Sequence, residues 1–353
     1  MGFWRGKKVL LTGHTGFKGG WAALWLASLG AHVVGFSLRP TQPDNLFSIA
    51  RIKEKLVDLD GDVRDLAALQ AAVHNHDPEI IIHMAAQALV HEGYRQPVDT
   101  FATNVMGTVN VLEAARRRAH LRAILIVTSD KCYNSDAGAG RGHREDDPLG
   151  GPDPYSSSKA CAELVTAAYN RSYFAADRVG VATARAGNVL GGGDFAPDRL
   201  VPDVLAAISG RRKADIRSPT AVRPWQFVTD PVGGYMRLVE RLAADPAGYG
   251  GGWNFGPTAG NSLPVAALCD RLCTLWGDGA AWAAQASDLP PERHVLTIDA
   301  SKARAALNFE THVTVDRGLA ATVDWHKAWR TGADMQDFTL RQIALLGAPH
   351  VAD

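Results

Sequence analysis

The sequence predicts an α/β fold: a doubly wound parallel sheet with helices on both faces, carrying a smaller, mainly helical lobe. Three observations predict it. Short apolar runs of strand length alternate with helix-length runs from residue 8 to residue 184. The first strand ends in a glycine turn, Gly13-x-x-Gly16-x-x-Gly19, that opens straight into a helical run. After residue 184 the alternation gives way to a long glycine loop, isolated helices and short strands, which marks the entrance to the second lobe.

Residues 8–12 form the first apolar strand and residues 21–29 the first helical run. Between them, the first glycine permits a tight turn, the second lets backbone N–H groups approach a pyrophosphate, and the third packs helix against strand. Gly13, Thr15, Gly16, Phe17, Lys18 and Gly19 are therefore expected around a dinucleotide. The second strand, residues 32–37, lacks the terminal acid that would grip a ribose diol; Ser37 and Arg39 stand there instead. Arg39 reads equally as a partner for a 2′-phosphate or as a solvated loop residue, so NAD and NADP both remain open. Past the third strand-like patch, residues 55–59, comes Asp62-Val63. The Asp62 carboxylate either accepts from an adenine amino group or caps the helix that begins near Asp65.

A strand at 80–84 leads into Ala85-Ala86-Gln87, and a helix expected over 97–118 carries Asn104 towards the strand at 123–127. Ligands of parallel sheets bind beyond the carboxyl ends of the strands. That rule singles out Thr128-Ser129-Asp130-Lys131-Cys132-Tyr133, where a hydroxyl, a carboxylate and an ammonium stand in a row; a turn using Ser and Asp for local hydrogen bonds gives the same string. A polar, glycine-rich loop over 134–153 precedes a helix expected over 155–174 and a strand over 179–184. Tyr155 and Lys159 lie four apart on that helix and so project from one face. A neighbouring ammonium favours a phenolate, lowering a phenol pKa that is otherwise about 10, which makes Tyr155 a candidate base. Such a pair also arises by chance in amphipathic helices, and its meaning depends on the dinucleotide context.

The glycine loop 185–195 opens the second lobe. There Arg199, Arg223 and Arg293 offer paired donors to phosphate oxygens, and Trp225 or Phe195 a ring for stacking, although each singly also reads as a surface arginine or a core aromatic. Asn254-Phe255-Gly256-Pro257 ends a strand that returns the chain across the lobe boundary, and helices are expected over 300–307 and 315–330. The expected division is a dinucleotide-binding domain at 1–186 with 226–255, and a substrate lobe at 187–225 with 256–353.

Lys+Arg and Asp+Glu each count 37, so no net field draws the chain to nucleic acid or an anionic membrane. No apolar run reaches membrane-spanning length. The expected partner is a small molecule and the expected location cytoplasmic. The four cysteines form no zinc-type CxxC units, so no metal is expected and free thiols are the default.

Thr12-Gly13-His14-Thr15-Gly16-Phe17-Lys18-Gly19, with Tyr155-x-x-x-Lys159, Ala85-Ala86-Gln87 and Asn104-Val105-Met106-Gly107-Thr108, resembles the extended short-chain dehydrogenase/reductases that act on nucleotide sugars. The resemblance runs over nearly the whole chain. Within that family, the 128–133 string, Gly151-Pro152-Asp153-Pro154-Tyr155-Ser156-Ser157-Ser158-Lys159, Arg185-Ala186-Gly187-Asn188-Val189 and Arg223-Pro224-Trp225-Gln226 are most similar to the CDP-glucose 4,6-dehydratases, which carry Lys after the Asp at Asp130-Lys131, where the dTDP-glucose and GDP-mannose enzymes carry an acidic residue.

The resemblance implies a Rossmann-type fold, NAD as a regenerated cofactor, CDP-glucose as substrate, deoxysugar biosynthesis (lipopolysaccharide O-antigen) as context, and a homodimer or higher homo-oligomer. Tyr155, helped by Ser129 and Lys159, would take the 4-hydroxyl proton as hydride leaves C4. Lys131, as base at C5, and Asp130, as acid for the departing 6-hydroxyl, would then eliminate water, with the division between the two open. Gln87, His91, Asn188, Arg199, Arg223, Trp225 and Arg293 would hold the sugar nucleotide. One departure bears on substrate: His91 stands where relatives place an arginine close to the sugar. A 4-epimerase or ketoreductase needs only the Ser/Tyr/Lys set, and a dinucleotide-sensing binding protein would need none of it.

Overall fold

The computed structural model describes residues 2–134, 141–257, 261–285 and 297–347; Arg293 lies outside them. Seven parallel strands form the main sheet. They are β1 (Lys8–Thr12), β2 (His32–Ser37), β3 (Val57–Asp60), β4 (Ile80–His83), β5 (Ala123–Val127), β6 (Gly180–Ala186) and β10 (Gly251–Phe255), in the order β10-β6-β5-β4-β1-β2-β3. The sheet is covered on both faces, which is why its central strands read as unbroken apolar runs. All five residues of β5 are buried. Side chains alternate between the faces with the period of two. Ala123, Leu125 and Val127 join one core cluster with helix α1 (Phe17–Ser28) and helix Thr229–Ala244, while Ile124 and Ile126 join the other with helices Leu66–His76 and Gly107–Ala115.

The second lobe is built on two small sheets. One has the order β11-β9-β7, from β7 (Asn188–Leu190), β9 (Val222–Phe227) and β11 (Ser262–Pro264); the other pairs β8 (Ala214–Ile216) with β12 (Trp282–Ala284). Helices Leu200–Ser209 and Val265–Trp276 pack on them. The helix Met335–Leu346 packs on helix Val315–Arg330 and on α1 beside the main sheet. Gln336 Nε2 donates to the carbonyls of Ala50 and Arg51, both at 3.1 Å, and Gly347 closes on Trp25.

Two helices differ from the sequence reading in the same way. The span expected over 97–118 ends at Ala115 and contains a π-helical turn, Ala102–Met106; the span expected over 155–174 is α-helical over Pro154–Tyr169 and π-helical over Asn170–Phe174. A π turn re-aims its side chains relative to an unbroken helix. The first one carries Asn104 inward, where its amide donates to Ser158 Oγ (2.8 Å) and the Gln87 carbonyl (2.9 Å).

Behind the strand ends lies a buried ion pair, Arg185 Nη2 to Glu163 Oε2 at 2.7 Å, with side-chain exposures of 4% and 3%. Glu163 also accepts from the hydroxyls of Thr128 and Thr183, and Arg185 donates to Tyr133. The pair thus ties together β5, β6 and the helix Pro154–Tyr169. Removing one partner strands the other charge, so Glu163→Ala is expected to cost about 3–5 kcal/mol of stability, read as a lower midpoint in urea denaturation.

Candidate active site

A cavity of about 890 Å³ opens at the carboxyl ends of the central strands, between the sheet and the second lobe. Its cofactor side is shaped by the glycine turn. Gly13 has φ +78°, and a Cβ at Gly19 would stand 2.0 Å from the Gly13 carbonyl oxygen, so the turn can close only with glycine at these positions. Gly16 caps α1 without a side-chain hydrogen bond, and the first turn carries no acid. Unclaimed N–H groups at a helix start, facing a cavity, suit a pyrophosphate. Thr15, Phe17 and Lys18 line the same wall with Ser37, Val63, Ala85 and Ala86, and Thr15 Oγ1 pairs with Ser37 Oγ at 2.8 Å.

The carboxylates beside the end of β2 come from β3 and are turned to Arg39 and His14. Asp58 accepts from Arg39 Nη1 (2.6 Å) and contacts His14 Nε2 (2.9 Å), and Asp60 lies 3.3 Å from Arg39 Nε. Arg39 lines the cavity but is held by two carboxylates, whose charge opposes a 2′-phosphate. Asp62 does not cap the following helix: Asp65 does, accepting from Ala68 N, while Asp62 binds Arg64 and lines the cavity. Gln87 and Asn104, expected at the cofactor, have their side chains engaged by neighbours of the cavity wall. The Gln87 amide is consumed by Leu89 and Thr100, and Asn104 by Gln87 and Ser158.

The helix Pro154–Tyr169 starts where it does because Asp153 accepts from Ser156 N at 3.0 Å and proline takes the first helical position. Its opening turns bring Tyr155 and Lys159 to the cavity floor opposite Ser129, Asp130 and Lys131, which follow β5. Ser129 caps a short 3-10 turn, Asp130–Cys132, and its hydroxyl donates to Asp130 Oδ1 at 3.1 Å.

The electrostatics differ from the sequence expectation for Tyr155. Burial pushes its phenol up to about 12, against the lowering pull of the Ser129 hydrogen bond. Lys159 does not offset this. Its ammonium donates to the Val127 carbonyl at 3.1 Å, and burial, then the Lys18 cation, bring its own pKa down to about 7. Lys18 is itself lowered to about 8 by burial and by Arg199. Asp130, 4% exposed, is raised by burial against the pull of Lys131.

On the substrate side, His91, Asn188, Arg199, Arg223 and Trp225 all line the cavity. Arg199 Nη1 pairs with Asp194 at 3.1 Å. Trp225 is only 4% exposed, and its buried indole N–H has no hydrogen-bond partner among the described residues. Phe195 packs edge-on against Trp325, His326 and Trp329. Two placements escaped the sequence. Arg217 reaches the cavity from the end of β8, and Lys18 lies close enough to Asp130 and Lys159 to shift both. Among the described residues no group of His, Cys, Asp and Glu side chains could hold a metal ion.

Residues 10–263 match the family model described as GDP-mannose 4,6 dehydratase. The chain belongs to this family. A member similar to it, the CDP-glucose 4,6-dehydratase of Salmonella typhimurium, is 44% identical over 348 residues, covering 97% of this chain and 96% of that protein. Two solved structures share the fold. The dTDP-glucose 4,6-dehydratase of Bacillus anthracis in complex with NAD has a TM-score of 0.77 at 22% identity, covering 93% of this chain and 98% of its own. The UDP-glucose 4-epimerase of Thermotoga maritima with UDP-glucose also scores 0.77, at 20% identity, covering 91% and 98%. Dehydratase and epimerase share one fold here, so the fold does not decide the reaction, which is argued from the side chains.

Proposed function

We propose that the protein is an NAD-dependent CDP-glucose 4,6-dehydratase, converting CDP-D-glucose to CDP-4-dehydro-6-deoxy-D-glucose and water. The observation that carries this reading is the placement of Asp130 and Lys131 on the cavity floor with Ser129, Tyr155 and Lys159. Epimerisation or simple ketone reduction calls only for the last three, whereas elimination also needs a base at C5 and an acid at O6. The 44% identity to the Salmonella typhimurium enzyme supports the nucleotide and the sugar.

Bound NAD supplies the hydride acceptor at C4 and the hydride donor at C6, so no net oxidation results. Gly13, Thr15, Gly16, Phe17 and Gly19 would hold its pyrophosphate, and Ser37, Asp62 and Val63, which line the same cavity, its adenosine end. Tyr155 removes the 4-hydroxyl proton with Ser129 beside it. The resulting 4-ketone acidifies C5–H, Lys131 takes that proton, Asp130 protonates the leaving 6-hydroxyl, and Lys131 gives the proton back to C5 as C6 is reduced. The carboxylates on Arg39 favour NAD over NADP, and turnover with NADP is expected to be weaker by about tenfold or more. An Arg39→Ala variant that prefers NADP would contradict that account.

Purified protein is incubated with NAD and, separately, CDP-, dTDP- and UDP-glucose and GDP-mannose, and the alkaline absorbance of a 4-keto-6-deoxy product is followed. Product from CDP-glucose is expected; turnover of another nucleotide sugar in its place would overturn the reading.

The same reading includes a cytoplasmic enzyme serving deoxysugar and O-antigen biosynthesis, and a homo-oligomer. Exposed apolar side chains support the oligomer: Val98 (78%) and Met106 lie on the first broken helix, Leu164 (60%) and Tyr173 on the second. Light scattering is expected to report a dimer or larger, and Leu164→Glu to shift it towards monomer.

A further inference from the structure

His91 places an imidazole on the cavity wall. The structure brings a guanidinium to that place from the other lobe. Arg217 follows β8, and its Nη1 lies 3.3 Å from His91 Nε2, on helix Val90–Arg95 of the nucleotide-binding domain. The contact spans the cavity, which both residues line. His91 is buried and Arg217 exposed, so the imidazole is the fixed partner.

The other cavity arginines are occupied differently. Arg39 is paired with Asp58 and Asp60, and Arg199 with Asp194. Arg223 donates to the Val222 carbonyl and lies near enough to Asp130 to lower its pKa, which puts it towards the reacting end. Arg217 makes no ion pair with a carboxylate among the described residues, and its hydrogen bond to His91 uses one edge of the guanidinium. Its charge reaches Asp203 without a hydrogen bond to it among the described residues, and a planar fork with donors remaining, at the cavity, matches a phosphate group of an extended ligand.

We propose that Arg217, held by His91, is a substrate-binding residue that grips the diphosphate of the sugar nucleotide. The assignment rests on the nucleotide-sugar reading above but not on which base the nucleotide carries. Binding of CDP to the NAD-loaded protein bridges the two lobes through Arg217, so the residue acts on substrate affinity and not on the chemical step.

The test is calorimetric titration of NAD-loaded wild type, Arg217→Ala, Arg217→Lys and His91→Ala with CDP and with cytidine, alongside steady-state kinetics. Loss of a charge-assisted phosphate contact is expected to weaken CDP binding and raise KM about 10- to 100-fold in Arg217→Ala, with kcat and cytidine affinity nearly unchanged. Arg217→Lys, a point charge without the fork, is expected to fall between, and a double-mutant cycle with His91→Ala to be non-additive. Unchanged CDP affinity, an equal loss for cytidine, or a fall in kcat at constant affinity each overturns the proposal. If the wild type binds dTDP, UDP or GDP in place of CDP, the same comparison is run with that nucleotide and its nucleoside, so the substrate reading and the role of Arg217 fail separately. Thermal melts of each variant show that it is folded.

Discussion

Tyr155→Phe is expected to lower kcat by about a hundred- to ten-thousand-fold, the usual worth of a positioned proton-transfer group, while leaving NAD and CDP affinities close to wild type. The phenol is buried at the cavity floor beside Ser129, and the substitution removes one oxygen and little volume. The pH dependence follows from the pair. Without ligands, Lys159 titrates at about 7 and Tyr155 at about 12. Between those values the two side chains share one proton. The form that can abstract a proton, phenolate with ammonium, is a tautomer of the neutral phenol with neutral amine, so it belongs to this same protonation state. Below pH 7 the pair holds a second proton and the base is blocked. The pair should therefore impose on kcat/KM a limb that rises with pH through about 7, opposed by the fall that deprotonation of Asp130 imposes. Lys159→Met should remove that limb. Lys18→Met should move it to higher pH, because the Lys18 cation is part of what depresses Lys159. A profile identical in all three proteins would show that the pair does not set the rate.

Much of the fold was legible because it is written locally. β2 and the helix Val315–Arg330 lie where their patterns put them, since strand alternation and helical spacing are properties of short windows. The Tyr155/Lys159 spacing and the glycine turn are local for the same reason. The effect of burial on Tyr155 was not legible, because it depends on how deeply one helix sits on the sheet. The acid on Arg39 was hidden by register. Asp58 pairs across β3 with Gly35, and any Cβ at Gly35 would strike the His14 ring at 2.4 Å, so the absent side chain lets His14 pass beneath β2 to Asp58. The inward aim of Asn104 was not legible because nothing in its neighbours announces a π turn. Arg217 needs both lobes in place before it means anything.

Asp130→Asn and Lys131→Ala are each expected to abolish formation of the 4-keto-6-deoxy product, by about a hundredfold or more, yet to fail at different steps. Asp130 is buried, and burial favours its protonated form, so the carboxyl keeps its proton above the ordinary carboxylate range. A carboxylic acid held neutral is suited to protonating a departing hydroxyl. The sign follows: turnover that depends on this acid declines as pH rises through the raised value. Lys131 then remains to take the C5 proton. In deuterated water, Asp130→Asn should still oxidise C4 and lose C5–H, and with the acid missing the intermediate can only reprotonate and be reduced back. Recovered CDP-glucose should then carry deuterium at C5. Lys131→Ala lacks the base, and its recovered substrate should carry none. The mirror-image result, exchange in Lys131→Ala and none in Asp130→Asn, would reverse the two roles, because only the residue that removes the C5 proton can open that position to solvent.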